Sequence, residues 1–163
     1  MMNKARLIFD KIIETASIGI FVIMVLLVAF QVFMRYVLNS PSVFSESLTR
    51  YLFVWLVLVT ATYACGKREH MCINFLKDKL SANGQNRINI LTEALALIFA
   101  ACIMVYGGIR ISAMQMVQLD SVLKIPTGVI YSIIPVCGAG IVFYSICNIA
   151  EDIHALRIRK GGN

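Results

Sequence analysis

Four long apolar stretches, each followed by charged or turn-forming residues, constrain this chain more than any other feature. A helix needs about 20 predominantly apolar residues to cross the roughly 30 Å hydrocarbon core of a membrane. The chain has 163 residues, of which 59% are hydrophobic and 15% are charged. We therefore predict an all-α membrane protein with one domain, residues 1–163. Its four transmembrane helices are expected at about 13–36, 46–66, 88–109 and 126–150.

Shorter helices are expected at the membrane surface. Charges among apolar residues in segment 1–14 indicate a turn or two of interfacial helix, and segment 71–82 predicts a cytoplasmic amphipathic helix. The basic N-terminus followed by an apolar run is also typical of a signal peptide. The run is about twenty residues long and no small-residue cleavage site follows it, so we interpret it as a retained first span.

Proline, asparagine and glycine residues indicate where helices break or approach closely. Asn39, Ser40 and Pro41 should end the first helix, with Ser42 or Ser45 capping the second. In the fourth apolar run, Pro126 suits the first turn of the helix and Pro135 an internal kink. Glycines should allow close helix contact or a loosened last turn. The prolines and glycines in question are Pro126, Pro135, Gly107, Gly108, Gly138 and Gly140.

The distribution of basic residues predicts the orientation. Eleven of the 15 Lys and Arg residues lie in the N-terminal segment, the middle loop and the C-terminal tail, and four lie in the first and third loops. Cytoplasmic loops carry the excess of Lys and Arg. Both termini and the middle loop are therefore expected in the cytoplasm.

Several functional classes are disfavoured. The net charge of +6 comes from residues between apolar blocks, so nucleic acid is not an expected partner. Five cysteines without CxxC spacing indicate neither a disulfide framework nor a zinc site. His70 and His154 lie outside the spans, which argues against a haem anchor. We find no catalytic constellation, cofactor motif or metal-ligand spacing and expect no enzymatic activity.

A small proton-coupled transporter that works as a homo-oligomer stays open as an alternative. Such a protein needs an ionisable group near mid-membrane, where burial makes it a functional marker. Glu46, Glu93 and Arg110 all fall near the ends of predicted spans instead.

The charges at the start of the second span allow two interpretations. Glu46 and Arg50, four residues apart, form either a helix-surface ion pair or an orienting pair that faces a partner or another helix. Trp55 lies about one turn deeper and is expected to be a packing residue. Arg35 ends the first span, where a snorkelling cation is usual.

The chain resembles the small membrane subunit, of the DctQ type, of tripartite ATP-independent periplasmic (TRAP) transporters. FQVFMRYVLNSPSVFSESLTRYLFVWLVLVTATYACGKREHMCINFL carries the resemblance in the first half, and LKIPTGVIYSIIPVCGAGIV in the second. The first block has Arg-Tyr at a span end, an Asn-and-Pro turn, a Glu four residues before an Arg, and then a Trp. The second begins a span with Ile-Pro. Phe44 and Ser47 depart from the Trp and the acidic residue that the family more often has.

The resemblance implies a scaffold role in a sodium-coupled importer, or symporter, of organic acids in the bacterial inner membrane. The expected partners are a large multi-span TRAP membrane subunit that moves the substrate, a periplasmic substrate-binding protein that docks transiently, and membrane lipids. For the transported acid, the resemblance leaves sialic acid and C4-dicarboxylates both open. Arg35, Glu46, Arg50 and Trp55 are then expected to serve structure and assembly rather than catalysis.

Overall fold

The computed structural model describes residues 2–40, 42–67 and 82–160, with the side chains of 6–40, 42–67 and 88–152. The helices, in chain order, are α1 (Met2–Tyr36), α2 (Val43–Lys67), α3 (Ala82–Phe99), a π-helical segment (Ala100–Gly107), α4 (Gly108–Gln115), α5 (Thr127–Tyr131) and α6 (Ile133–Lys160). These ranges contain no β-strand, only an isolated bridge between Leu119 and Pro126.

Four helical stretches are long and apolar enough to cross a membrane, and they confirm the predicted all-α class with four spans. They are Arg6–Tyr36, Val43–Lys67, Ile88–Gln115 and Thr127–Asp152. An amphipathic helix is predicted for segment 71–82, of which residues 71–81 lie outside the described residues and Ala82 begins α3. The bundle has two ends. The loop end holds the 37–42 turn and the 116–126 loop, and the terminal end holds Arg6 and Glu151.

Helix α1 packs along a single seam. Its inward-facing residues recur at alternating intervals of three and four, the spacing of a seam between two nearly parallel or antiparallel helices. Helix α2 is the main neighbour of this seam. None of the residues in the most apolar part of α1 is fully buried. The seam consists of Arg6, Asp10, Ile13, Ser17, Ile20, Met24, Leu27, Gln31 and Met34. Phe9, which is also partly buried, lies beside the seam and packs against Phe143 and Tyr144 of the fourth span.

The N-terminus differs from the expected interfacial turns. Residues from Met2 onward belong to the same continuous helix as the first span. No proline interrupts this helix, and its charged residues Arg6 and Asp10 continue the seam, so they bond to other helices instead of lying apart on the membrane surface.

The α1–α2 turn is closed by local hydrogen bonds. Asn39 adopts a positive φ of 47°, and the Ser40 amide donates to the Met34 carbonyl at 3.2 Å. A left-handed residue followed by such a bond is a common way to end a helix. Of the two serines expected to cap α2, Ser42 is the one that does so, since its hydroxyl accepts from the Ser45 amide at 3.4 Å.

Helix α6 lies at the centre of the bundle, in contact with α2, α3 and the π-helical segment. In the fourth span, which includes most of α6, 39% of the residues in the most apolar stretch are buried, against 6% in that of α2. A Cβ added at Gly138 would lie 2.6 Å from the Met104 Cβ, and one at Gly108 would lie 2.9 Å from Pro135 Cδ. These two glycines therefore let the π-helical segment and α6 approach closely, as the sequence predicts for glycines in these spans.

The third and fourth spans are both irregular. Eight residues, Ala100–Gly107, form the π-helical segment, so the loosening expected around Gly107 begins a full two turns earlier. The fourth span is broken at Ser132, between α5 and α6. Pro135 lies just after the break, and a proline disturbs the preceding turn because it lacks an amide hydrogen.

Candidate functional site

A cleft opens between α1 and α2 at the loop end. Its volume is about 570 Å³, and Gln31, Arg35 and Glu46 contribute polar groups to its wall. Gln31 is fixed in place, since its amide donates to the Ser45 carbonyl at 3.0 Å and to the Thr49 hydroxyl at 2.6 Å. The complete lining is Val28, Gln31, Val32, Arg35, Tyr36, Ser42 and Glu46.

The predicted charges form only one ion pair. Arg50 Nη2 lies 3.4 Å from Glu46 Oε1, and the two side chains are 70% and 65% exposed. Exposed pairs at this spacing contribute about 0.3–0.5 kcal/mol. The Arg35 guanidinium lies 5.9 Å from the centre of the Tyr36 ring. In the described part of the chain, no carboxylate lies within 4.0 Å of Arg35.

Trp55 lies against α5 and does not line the cleft. Its indole nitrogen donates to the Ile130 carbonyl at 3.0 Å. This carbonyl belongs to the last turn of α5, where helical carbonyls lack intrahelical donors. An unsatisfied carbonyl within a membrane costs several kcal/mol. Trp55 is therefore more than a packing residue: it supplies a donor where the fourth span is broken.

The four residues predicted to serve structure and assembly lie at two separate places. Arg35 and Glu46 share the cleft, Arg50 adjoins it through the ion pair, and Trp55 joins α2 to α5. The charge spacing in the sequence identifies the first three as surface groups. It does not identify the acceptor of Trp55, which lies 75 residues away.

A second link at the loop end was not predicted. The Tyr51 hydroxyl donates to the Asp120 carboxylate, 69 residues along the chain. The other carboxylate oxygen of Asp120 accepts from the Val122 and Leu123 amides at 2.9 and 2.7 Å. The Tyr51 hydroxyl, followed by the Leu123 and Val122 amides, holds the pKa of Asp120 below its usual value.

The 116–126 loop is closed by its own backbone. The Asp120 amide donates to the Ile125 carbonyl and the Lys124 amide to the Asp120 carbonyl, both at 3.0 Å. Lys124 has a positive φ of 54°. The Thr127 amide donates to the Gln118 carbonyl at 2.8 Å. The Tyr51 bond attaches this closed loop to α2, and the Trp55 bond attaches the following helix, α5, to the middle of α2.

The terminal end is held by charged and polar contacts between three helices. Arg6 donates to Glu151 at 2.8 Å and to the Gly66 carbonyl at 2.7 Å, so it joins α1 to α6 and to the last turn of α2. The Tyr144 hydroxyl of α6 donates to Asp10 of α1. A cation at the C-terminal end of a helix also interacts favourably with its dipole.

A polar pair is buried between the third and fourth spans. Asn148 donates to Glu93 at 2.9 Å, and the two residues are 0% and 8% exposed. Glu93 follows the predicted start of its span closely, but the structure places it inside the bundle. A polar Asn148 in the longest uncharged stretch is the sequence signal for this pair. Over the described residues, no group of three or more His, Cys, Asp or Glu could hold a metal ion.

The family model of the DctQ component of the tripartite ATP-independent periplasmic transporters matches residues 24–155. The chain belongs to the DctQ family. This family relationship and the four apolar helices make it a multi-pass protein of the bacterial inner membrane.

Individual DctQ relatives match a shorter region. A putative TRAP transporter small permease protein of Haemophilus influenzae is 32% identical over 108 residues, 66% of this chain and 66% of the relative. The sialic acid TRAP transporter small permease protein SiaQ of Vibrio cholerae is 28% identical over 106 residues, 65% of this chain and 61% of the relative. The chain thus spans just under two thirds of the length of these relatives.

Proposed function

We propose that this chain is the small permease subunit of a sodium-coupled TRAP importer of organic acids and serves as a scaffold for the large membrane subunit. The observation that carries the proposal is the family match over residues 24–155. The relative from Vibrio cholerae is named for sialic acid, which supports that substrate over a C4-dicarboxylate. A periplasmic binding protein would deliver the acid, and the large subunit would move it. This chain would have no catalytic role.

The geometry is consistent with a scaffold. Hydrogen bonds and ion pairs tie the helices together at both ends, as Arg6 does at the terminal end and Tyr51 at the loop end. Several spans leave apolar side chains exposed, for example Phe21 and Phe33 of α1 and Ile103 of the third span. A rigid bundle with exposed apolar helix faces can enlarge the stationary part of a carrier without a transport site of its own.

Copurification tests this function directly. The tagged chain, expressed from its natural gene neighbourhood and extracted in mild detergent, should retain a large multi-span membrane subunit in a fixed ratio. Deletion of this chain should abolish sodium-dependent uptake of the organic acid. A homodimer without a partner would contradict the scaffold role, and so would a haem absorption spectrum.

Substitutions in the exposed pair test the role of the predicted residues. Glu46→Ala or Arg50→Ala should lower assembly or uptake without a change in which acid is chosen, because the scaffold does not contact the substrate. Arg110→Ala is the matched control, since Arg110 is another exposed arginine and it stacks on Tyr106 at 6.0 Å. A changed substrate preference in either test variant would contradict the proposal.

One observation favours the alternative of a stand-alone proton-coupled transporter. Glu93 is a buried carboxyl group within a span, and it bonds to Asn148 of the fourth span. The chain reconstituted alone in vesicles with an imposed pH gradient would distinguish the two functions. If the chain alone takes up the organic acid and Glu93→Gln abolishes this uptake, the stand-alone transporter is supported. If the chain alone takes up none, and uptake requires the large subunit, the scaffold role is supported.

A further inference from the structure

The loop-end cleft changes from polar to apolar with depth. Arg35, Tyr36 and Glu46 lie beside the α1–α2 turn, whereas Val28 and Val32 lie deeper along α1. Gln31 lies at the depth of the two valines, but its amide nitrogen already donates to α2, at Ser45 and Thr49. At a rise of about 1.5 Å per residue, Val28 lies about 10 Å further into the span than Arg35. The polar part therefore lies at the boundary of the membrane, and the apolar part reaches into its hydrocarbon layer.

The polar part of the cleft carries one charge of each sign. Arg35 contacts the Tyr36 ring but no carboxylate among the described residues. Glu46 has only the long 3.4 Å contact with Arg50 and is 65% exposed. A ligand with a single charge would satisfy one of these groups and be repelled by the other. A zwitterionic ligand matches both.

We propose that this cleft binds a phospholipid whose headgroup carries both a phosphate and a primary ammonium. The phosphate binds the Arg35 guanidinium, which suits phosphate oxygens because its donors form a planar fork. The ammonium binds Glu46 with hydrogen bonds that a quaternary ammonium cannot donate. One acyl chain lies along Val28 and Val32, and the Tyr36 ring lies at headgroup depth, as interfacial aromatic residues do.

The proposal does not rest on the scaffold function or on the orientation, since it uses only the lining of the cleft and its depth. A segment of the large subunit inserted into the cleft is the competing occupant. The experiment below separates the two, because a protein segment would exclude the lipid from the complex.

Native mass spectrometry of the full chain, together with any subunit that it retains, measures the binding. Delipidated protein in mild detergent receives palmitoyl-oleoyl lipids with ethanolamine, choline or glycerol headgroups at equal concentration. The ethanolamine lipid should form adducts about twofold to fivefold more often than the other two, the range for one partly exposed charge pair.

Two variants separate the two charges. Glu46→Gln should abolish the preference for ethanolamine over choline and increase binding of the anionic glycerol lipid, because the repelling carboxylate is gone. Arg35→Gln should lower binding of all three lipids by a similar factor, because each carries a phosphate, and Arg35→Lys should retain part of this binding. Arg110→Gln is the control, since Arg110 is also exposed and stacks on a tyrosine but does not line the cleft. Unchanged circular dichroism and elution volume establish that each variant is folded.

Soluble glycerophosphoethanolamine tests the role of the acyl chain. An excess of this soluble headgroup should not displace the lipid. If it displaced the lipid as well as an equal amount of the ethanolamine lipid does, the acyl chain would not bind along Val28 and Val32. Equal adducts of all three lipids in the natural chain, or the same pattern in every variant, would overturn the proposal. So would adducts on the isolated chain that disappear in the complex with the large subunit. None of these outcomes would alter the result of the copurification.

Discussion

At the scale of single residues, Trp55 makes the contact that is simplest to remove. Trp55→Phe keeps an aromatic ring in place but deletes the donor to the Ile130 carbonyl. We expect a loss of about 1 kcal/mol, the usual contribution of one hydrogen bond, and more if the carbonyl stays dry. Reversible unfolding in mixed detergent micelles measures it. Phe53→Leu, at a ring that is 55% exposed, should change little, and equal losses in both variants would contradict a specific role for the indole.

Asp120 makes the loop end sensitive to acid. Its pKa in the folded chain lies below the usual value of about 3.9, so its bonds stabilise the loop above that pH and are lost as the pH falls through the folded pKa. Hydrogen exchange of the Val122 and Leu123 amides, corrected for intrinsic rates, should show constant protection from about pH 7 to 5 and a fall below about pH 4.

Two substitutions separate the contributions to this pH dependence. Tyr51→Phe removes the largest cause of the lowered pKa, so the loss of protection should move to higher pH. Asp120→Asn should lower protection at neutral pH and make it independent of pH in this range. If Tyr51→Phe left the midpoint unchanged, the bond between α2 and the loop would not control the titration.

At the scale of helices, two glycines provide a matched pair. A Cβ at Gly66 of α2 would lie 2.7 Å from the Tyr144 ring, whereas one at Gly19 of α1 would meet nothing within 4 Å. Gly66→Ala should therefore displace Tyr144 from Asp10 and cost about 1–3 kcal/mol, the usual range for overpacking. Gly19→Ala should stabilise the chain by about 0.5–1 kcal/mol because alanine favours a helix. The same unfolding assay tests both, and a neutral Gly66→Ala would contradict the tight α2–α6 contact.

The helices themselves could be predicted, because apolar length and the Asn39 turn are local signals. The π-helical segment could not, since it arises where Gly108 and Gly138 let the backbone of the third span pack on α6. In the candidate site, the four-residue spacing of Glu46 and Arg50 was enough to predict their contact. Tyr51 with Asp120, and Glu93 with Asn148, are separated by 69 and 55 residues, and only tertiary packing brings them into contact.

At the scale of the whole molecule, the orientation follows from basic residues on opposite ends of the bundle. Eleven Lys and Arg residues lie in the N-terminal segment, the middle loop and the C-terminal tail, and four lie in the first and third loops. Arg6 is paired with Glu151, but acidic residues contribute little to the positive-inside rule, so Arg6 still counts as a basic residue of the terminal end. The terminal end is therefore expected in the cytoplasm. The loop end, with the cleft and the 116–126 loop, is expected in the periplasm, where it could meet a binding protein.

Cysteine labelling tests this orientation in intact cells. In a chain whose five cysteines are replaced by alanine, a membrane-impermeant maleimide should label Ser121→Cys in the exposed loop but not Asn3→Cys near the N-terminus. After the cells are permeabilised, both should react, which shows that each thiol is accessible. If only Asn3→Cys were labelled in intact cells, the orientation would be the reverse of the expected one. It would also place the cleft in the cytoplasm, out of reach of a periplasmic protein, while its charges and depth would still suit a lipid of the inner leaflet.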